Sequence, residues 1–78
     1  MEQSLLNRIT IHPQILSGKP IIRGMRISVE QILKSLAANV SVEELLTEYP
    51  ELERDDIHAA LLYAATVISE ERVYKIPA

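Results

Sequence analysis

Near the middle of the chain two carboxylates and an imidazole fall close together, as Asp55, Asp56 and His58. On a helix the neighbouring carboxylates project about 100° apart, which makes Asp55 and Asp56 a poor acid–base pair. They read more simply as first-turn charges set against a helix dipole. Asp55 and His58, three residues apart, could share a metal ion. Two ligands do not make a site, and nothing in the sequence brings His12 beside them. No Ser, Thr or Lys stands in a nucleophile motif. Gly18-Lys19-Pro20 lacks the glycine spacing of a phosphate-binding loop. No enzymatic activity, metal or cofactor is therefore expected.

The basic residues form a second constellation. Arg23 and Arg26 flank a glycine turn, with Lys19 and Arg8 nearby in sequence. Such groups suit phosphate contacts, and equally suit the charged protection of a solvated edge strand. Residues 1–40 carry five basic and two acidic side chains, and residues 41–78 carry three basic and nine acidic, within a net charge of −3. The split suggests either ordinary solvated faces or a basic segment that meets an anion above an acidic helical half.

The elements that position these groups follow from periodicity and punctuation. Arg8 to His12 alternates polar and apolar and reads as a short strand ended by Pro13. Ile21-Ile22, Arg23-Gly24 and Met25-Arg26-Ile27 read as a tight hairpin. Ser28-Val29-Glu30-Gln31 and Ser41-Val42-Glu43-Glu44 have the form of capping boxes. The first opens a helix that ends near Asn39. The second opens a short helix that Pro50 stops after Tyr49. A third helix is predicted from about Arg54 to Glu71. It carries one stripe of Ile57, Ala60, Leu61, Ala64 and Ile68, and a second, on the far side, of Ala59, Leu62, Tyr63 and Thr66. The tail from Arg72 to Ile76 could add an edge strand.

At 78 residues the chain is one domain, divided into a β segment (1–27), three helices (28–71) and a tail (72–78). It has no Cys, Trp or Phe, and its aromatics are Tyr49, Tyr63 and Tyr74. A chain this short buries only about 60% of its unfolded surface. It has no disulfide to compensate. Apolar residues on opposite flanks of its longest helix therefore predict that Ala59, Leu62, Tyr63 and Thr66 pack on another chain, in a homodimer or higher homo-oligomer. No window is long enough for a membrane helix, and the start, MEQSLLNR, has no signal-peptide core, so a cytoplasmic location is expected.

Three short helices with tight turns match a helix-turn-helix, and equally a plain three-helix bundle. The third helix is a poor reader of bases, because only Arg54 in its first turn suits DNA. DNA contacts would fall mainly to Lys19, Arg23 and Arg26, with Arg54 contributing.

The run from Ile15 to Val29, with its Gly18-Lys19-Pro20 and Arg23-Gly24-Met25-Arg26 elements, resembles the signature of the domain-of-unknown-function family four-three-three. So do Ser41 to Leu46, Tyr49-Pro50-Glu51-Leu52, Asp56 to Leu61 and Tyr63-Ala64-Ala65. The likeness covers about residues 8–68. Members commonly have Thr where this chain has Met25, and a capping Ser or Thr where it has Glu53. The resemblance implies a homeodomain-like three-helix fold after a short β segment. It also implies an antitoxin of VapB type, encoded beside a PIN-like nuclease toxin, and it supplies no catalytic residues. Two functions follow: a homodimeric DNA-binding regulator of a toxin–antitoxin pair, or a protein-interaction module that binds the toxin without nucleic acid.

Overall fold

Short strands need a surface to lie on, and here that surface is helical. A computed structural model describes residues 2–70. In chain order it contains α1 (Glu2–Leu6), β1 (Ile9–Ile11), a 3-10 turn (Leu16–Gly18), β2 (Pro20–Ile22), α2 (Val29–Ala37), α3 (Val42–Glu48) and α4 (Arg54–Glu70). The chain is mainly α-helical with an antiparallel β hairpin near its N-terminus. In order, α2, α3 and α4 follow the three-helix plan expected from the sequence, with a tight connection between α3 and α4. The expected edge strand from Arg72 to Ile76 lies outside the described residues.

The caps work as their residue types predict. Ser28 accepts a hydrogen bond from the Gln31 N–H and starts α2. Gln31 Oε1 does not accept the return bond from the Ser28 N–H, and the Gln31 side chain reaches Tyr49, with Nε2 donating to Tyr49 Oη at 2.6 Å. At α3 the box is complete, with Ser41 Oγ accepting from Glu44 N and Glu44 Oε1 accepting from Ser41 N. Pro50 lies just beyond α3, where it cannot continue the helix.

The β segment differs from the expected pairing. β2 pairs with β1, in the register Ile9 to Ile22, Thr10 to Ile21 and Ile11 to Pro20. The expected tight turn does form at Arg23 and Gly24, both at positive φ, and Met25 N donates to Ile22 O at 2.7 Å. No strand follows it. Ile22 N bonds Ile27 O instead, leaving one isolated bridge between Ile21 and Ser28. The reason is local competition: Ile27 is buried in the core and Ser28 is committed to capping α2, so no residues remain for a third strand.

Ile22, Ile27, Val29, Ile32, Leu45, Leu52, Ile57 and Ala60 form the core, an aliphatic cluster with half-buried Tyr49 and Tyr63 packed against it. The predicted partner-facing side of α4 is corrected here. Ala59 is fully buried within the chain and has no surface to give a partner. Leu62, Tyr63 and Thr66 are half-buried, and Tyr63 packs on the chain's own core. α1 lies along α4, and Tyr63 faces α2, where it borders a groove with Leu33 and Ala37.

Gly24 tests the turn separately from packing. Its φ is +75°, and nothing lies within 4 Å of where a Cβ would stand. Gly24→Ala therefore introduces only backbone strain, expected to lower unfolding free energy by about 1 kcal/mol. Gly24→Asn should lose less, as read from urea midpoints.

Candidate functional site

Charge, rather than catalytic geometry, organises the end of the molecule where α4 begins. Asp56 sits in the first turn of α4 and is fully buried. A buried carboxylate must be hydrogen-bonded, and this one accepts four bonds. Arg8 Nη1 reaches Oδ1 at 2.9 Å. Arg23 forms a two-pronged contact, Nε to Oδ1 at 3.0 Å and Nη2 to Oδ2 at 2.9 Å. The Glu53 N–H donates to Oδ2 at 2.8 Å. This last bond is half of a capping box: Asp56 reaches back to the start of its own helix, although Glu53 replaces the usual Ser or Thr.

The sheet register delivers both arginines. Arg8 precedes β1, Arg23 follows β2, and Arg23 N donates to Arg8 O at 2.8 Å. The two side chains therefore leave neighbouring ladder positions toward one carboxylate. Arg8 also bonds Glu53 Oε1 at 2.7 Å, and Arg23 Nη2 donates to Glu51 O at 2.9 Å. Burial alone would raise the Asp56 carboxyl. Hydrogen bonds from Arg23, the Glu53 N–H and Arg8 outweigh burial and hold it below the ordinary carboxylate value. A carboxylate so saturated is a poor proton carrier.

The four residues expected to contact nucleic acid fare differently from one another. Arg23 is locked onto Asp56. Lys19 Nζ pairs with Glu30 Oε1 at 2.9 Å, and Arg54 Nη2 pairs with Glu43 Oε2 at 3.0 Å. Arg26 is exposed and has no side-chain partner among the described residues. The four are not gathered into one basic patch. For Arg23 this corrects the expectation of a phosphate contact, because displacing its guanidinium would strand a buried carboxylate.

Around this hub the surface is acidic. Glu43, Glu44 and Glu48 on α3, Glu51 and Glu53 in the turn, and Asp55 on α4 are all exposed. The hydrogen bond from Arg54 holds Glu43 below its ordinary value, so it stays charged. His58 Nδ1 approaches Asp55 Oδ1 at 3.6 Å, and no group of three potential metal ligands gathers among the described residues. No helix among those residues is long and apolar enough to cross a membrane.

Arg8 and Asp56 were the residues that sequence reading undervalued. The signal available was Glu53-x-x-Asp56, an acid at the third helical position with no hydroxyl cap, which marks a carboxylate turned back on the chain.

Fold and hub together define a small helical domain whose longest helix is pinned to a β hairpin by a buried ion-pair network. The family described as protein of unknown function (DUF433) matches residues 9–64, and the chain belongs to it. Over 56 residues it is 41% identical to the uncharacterized protein y4eO of Sinorhizobium fredii, covering 72% of this chain and 25% of that protein. The crystal structure of a DUF433 member from Anabaena variabilis superposes with a TM-score of 0.75 at 34% identity, covering 82% of this chain and 63% of that one. The chain thus spans a quarter of the curated relative and under two thirds of the solved one.

Removing the hub's charge should be severe. Asp56→Asn is expected to lower unfolding free energy at neutral pH by about 3 kcal/mol. Because the folded carboxyl titrates below its unfolded value, its contribution is complete above the unfolded pKa. It is lost as pH falls through the folded one. Stability of the parent should therefore decline below about pH 4, and the acid limb of Asp56→Asn should be shallower in urea titrations.

Proposed function

We propose that the chain is a protein-interaction module, the neutralising half of a toxin–antitoxin pair, and that it offers a PIN-like nuclease its acidic end. The observation that carries this reading is the electrostatic sign of the surface around the start of α4. In a helix-turn-helix reader that position should be cationic. Here Glu51, Glu53 and Asp55 are exposed, and the one arginine of the neighbouring turn that could offset them, Arg23, is 38% exposed with its charge paired to Asp56. A nuclease must hold phosphates and so presents a basic groove. An acidic face is complementary to that groove and hinders the approach of nucleic acid. The family resemblance supports the same role, and the mechanism needs no catalytic residue from this chain.

The test is co-expression with the product of the adjacent gene, which the proposal requires to be such a nuclease. A stable complex is expected, weakened by salt. Glu48→Lys combined with Glu51→Lys should reduce affinity by at least about tenfold, since each reversal replaces attraction with repulsion. Both positions are exposed, so folding should survive. Absence of a complex would overturn the reading. So would salt-sensitive retardation of the chain's own promoter fragment by the purified chain alone, which is the behaviour of a DNA-binding regulator.

A further inference from the structure

The longest helix, α4, outruns the core it packs on. Its first apolar stripe begins inside, where Ile57 and Ala60 are fully buried. It then continues into solvent, where Leu61 is 46% exposed and Ile68 65% exposed. Between this stretch and α2 runs a groove walled by Leu33 and Ala37 on one side and Tyr63, Ala64, Val67 and Ile68 on the other. Hollow and ridge lie side by side on one surface: Ala37 and Ala64 leave space, and Ile68 stands out beside it. Such a patch meets the shape requirement of an isologous contact, in which each copy inserts the same side chain into the other.

The charge at the rim is also self-complementary. Glu30 and Lys34 border the groove, and Glu30 Oε2 lies 3.1 Å from Lys34 Nζ. A single chain thus offers both signs at this edge. Glu30 Oε1 is held by Lys19 at 2.9 Å, so a two-fold contact at this edge would exchange only the Lys34–Glu30 Oε2 pair between copies, leaving neither charge unmatched. The exposed acids of α3 and of the turn before α4 do not border this groove, so the like charge of two chains is not concentrated at the contact.

We propose that a second copy of this chain covers the α2–α4 groove in a two-fold dimer, with Ile68 of each copy seated over Ala37 and Ala64 of the other. Ten residues line the groove. A standard interface uses about 20–30 a side, so this dimer belongs to the small, weakly associating class. The surface is separate from the acidic end, so either proposal can fail without the other.

Sedimentation equilibrium of the full chain tests it. Between about 5 µM and about 500 µM the mass should climb from 8.8 kDa toward twice that value. Ile68→Glu should stay monomeric throughout, with unchanged circular dichroism because the side chain is exposed. Ile68→Ser, which adds no charge, should weaken association by at least about fivefold. Ser69→Glu adds the same charge one position along and should dimerise like the parent. The proposal is overturned by a parent chain that stays monomeric, by a dimer indifferent to Ile68→Glu, or by Ser69→Glu disrupting as strongly. It is equally overturned if Ile68→Glu leaves the parent's mass unchanged yet abolishes binding of the nuclease, which would give the groove to the toxin.

Discussion

One carboxylate holds the two halves of this molecule in register. Asp56 is taken wholly out of water, and that transfer is favourable only because two guanidiniums and a backbone N–H meet it. The network joins the residue before β1, the turn after β2 and the first turn of α4. These are segments with no covalent staple between them, since the chain has no cysteine. Its value lies in specificity as much as in stability. A one-residue slip in the β1–β2 ladder would turn Arg8 and Arg23 to opposite faces, and Asp56 would be buried without partners. The hub therefore selects the observed register over a hairpin that the aliphatic strands alone would tolerate.

That structural demand sets the electrostatics of the surface. Arg23, in the turn that its sequence would offer to phosphate, has its guanidinium paired with Asp56. Arg54 and Lys19 are held in exposed pairs that contribute little to stability. The carboxylates around them are only partly matched. Six exposed acids lie on α3, in the turn and on α4; Glu43 pairs with Arg54 and Glu53 with Arg8, while the side chains of Glu48 and Glu51 have no cationic partner among the described residues. The result is a helical bundle with the helix order of a DNA reader and an excess of exposed acids where its third helix begins. Fold alone would suggest the first, and only the disposition of side chains distinguishes the second.

What was legible in the sequence was what is local. Ser28 and Ser41 announce their helices because a cap needs only a hydroxyl and the next three residues. Pro13 and Pro50 stop their elements for equally local reasons. Gly24 marks its turn because the left-handed region excludes most other side chains. What was hidden depends on distance along the chain. Arg8 and Asp56 are 48 residues apart and Arg23 and Asp56 are 33, and nothing in the charge of an isolated residue names its partner. Likewise α1 is only five residues long, too short to show a periodic stripe, so its cover over α4 could not be anticipated. The reading that α4 is apolar on two sides stood on sound periodicity. Periodicity cannot say how far along the helix the chain itself will cover each side: Ala59 of one stripe and Ile57 and Ala60 of the other are buried, and Leu61 and Ile68 are exposed.

The division of labour along α4 follows from these constraints. Its first turns are fixed: Asp56 by the arginines, Ile57 and Ala60 by the core, Ala59 by complete burial. Little freedom remains there for a partner to exploit, apart from the charges that point outward. Beyond Ala60 the body of the domain covers α4 only in part, with Tyr63 still packed on the core, and the apolar period that filled the core meets water at Leu61 and Ile68. Each exposed aliphatic side chain forgoes about 1 to 2 kcal/mol of burial. In a domain this small that is a sizeable fraction of the total stability. Helix propensity does not require it, because polar residues such as Glu, Gln or Lys propagate a helix about as well as Leu and better than Ile or Val. On one rod, then, the acidic start is fixed by the arginines and the core, and the apolar end is left to solvent by the same chain.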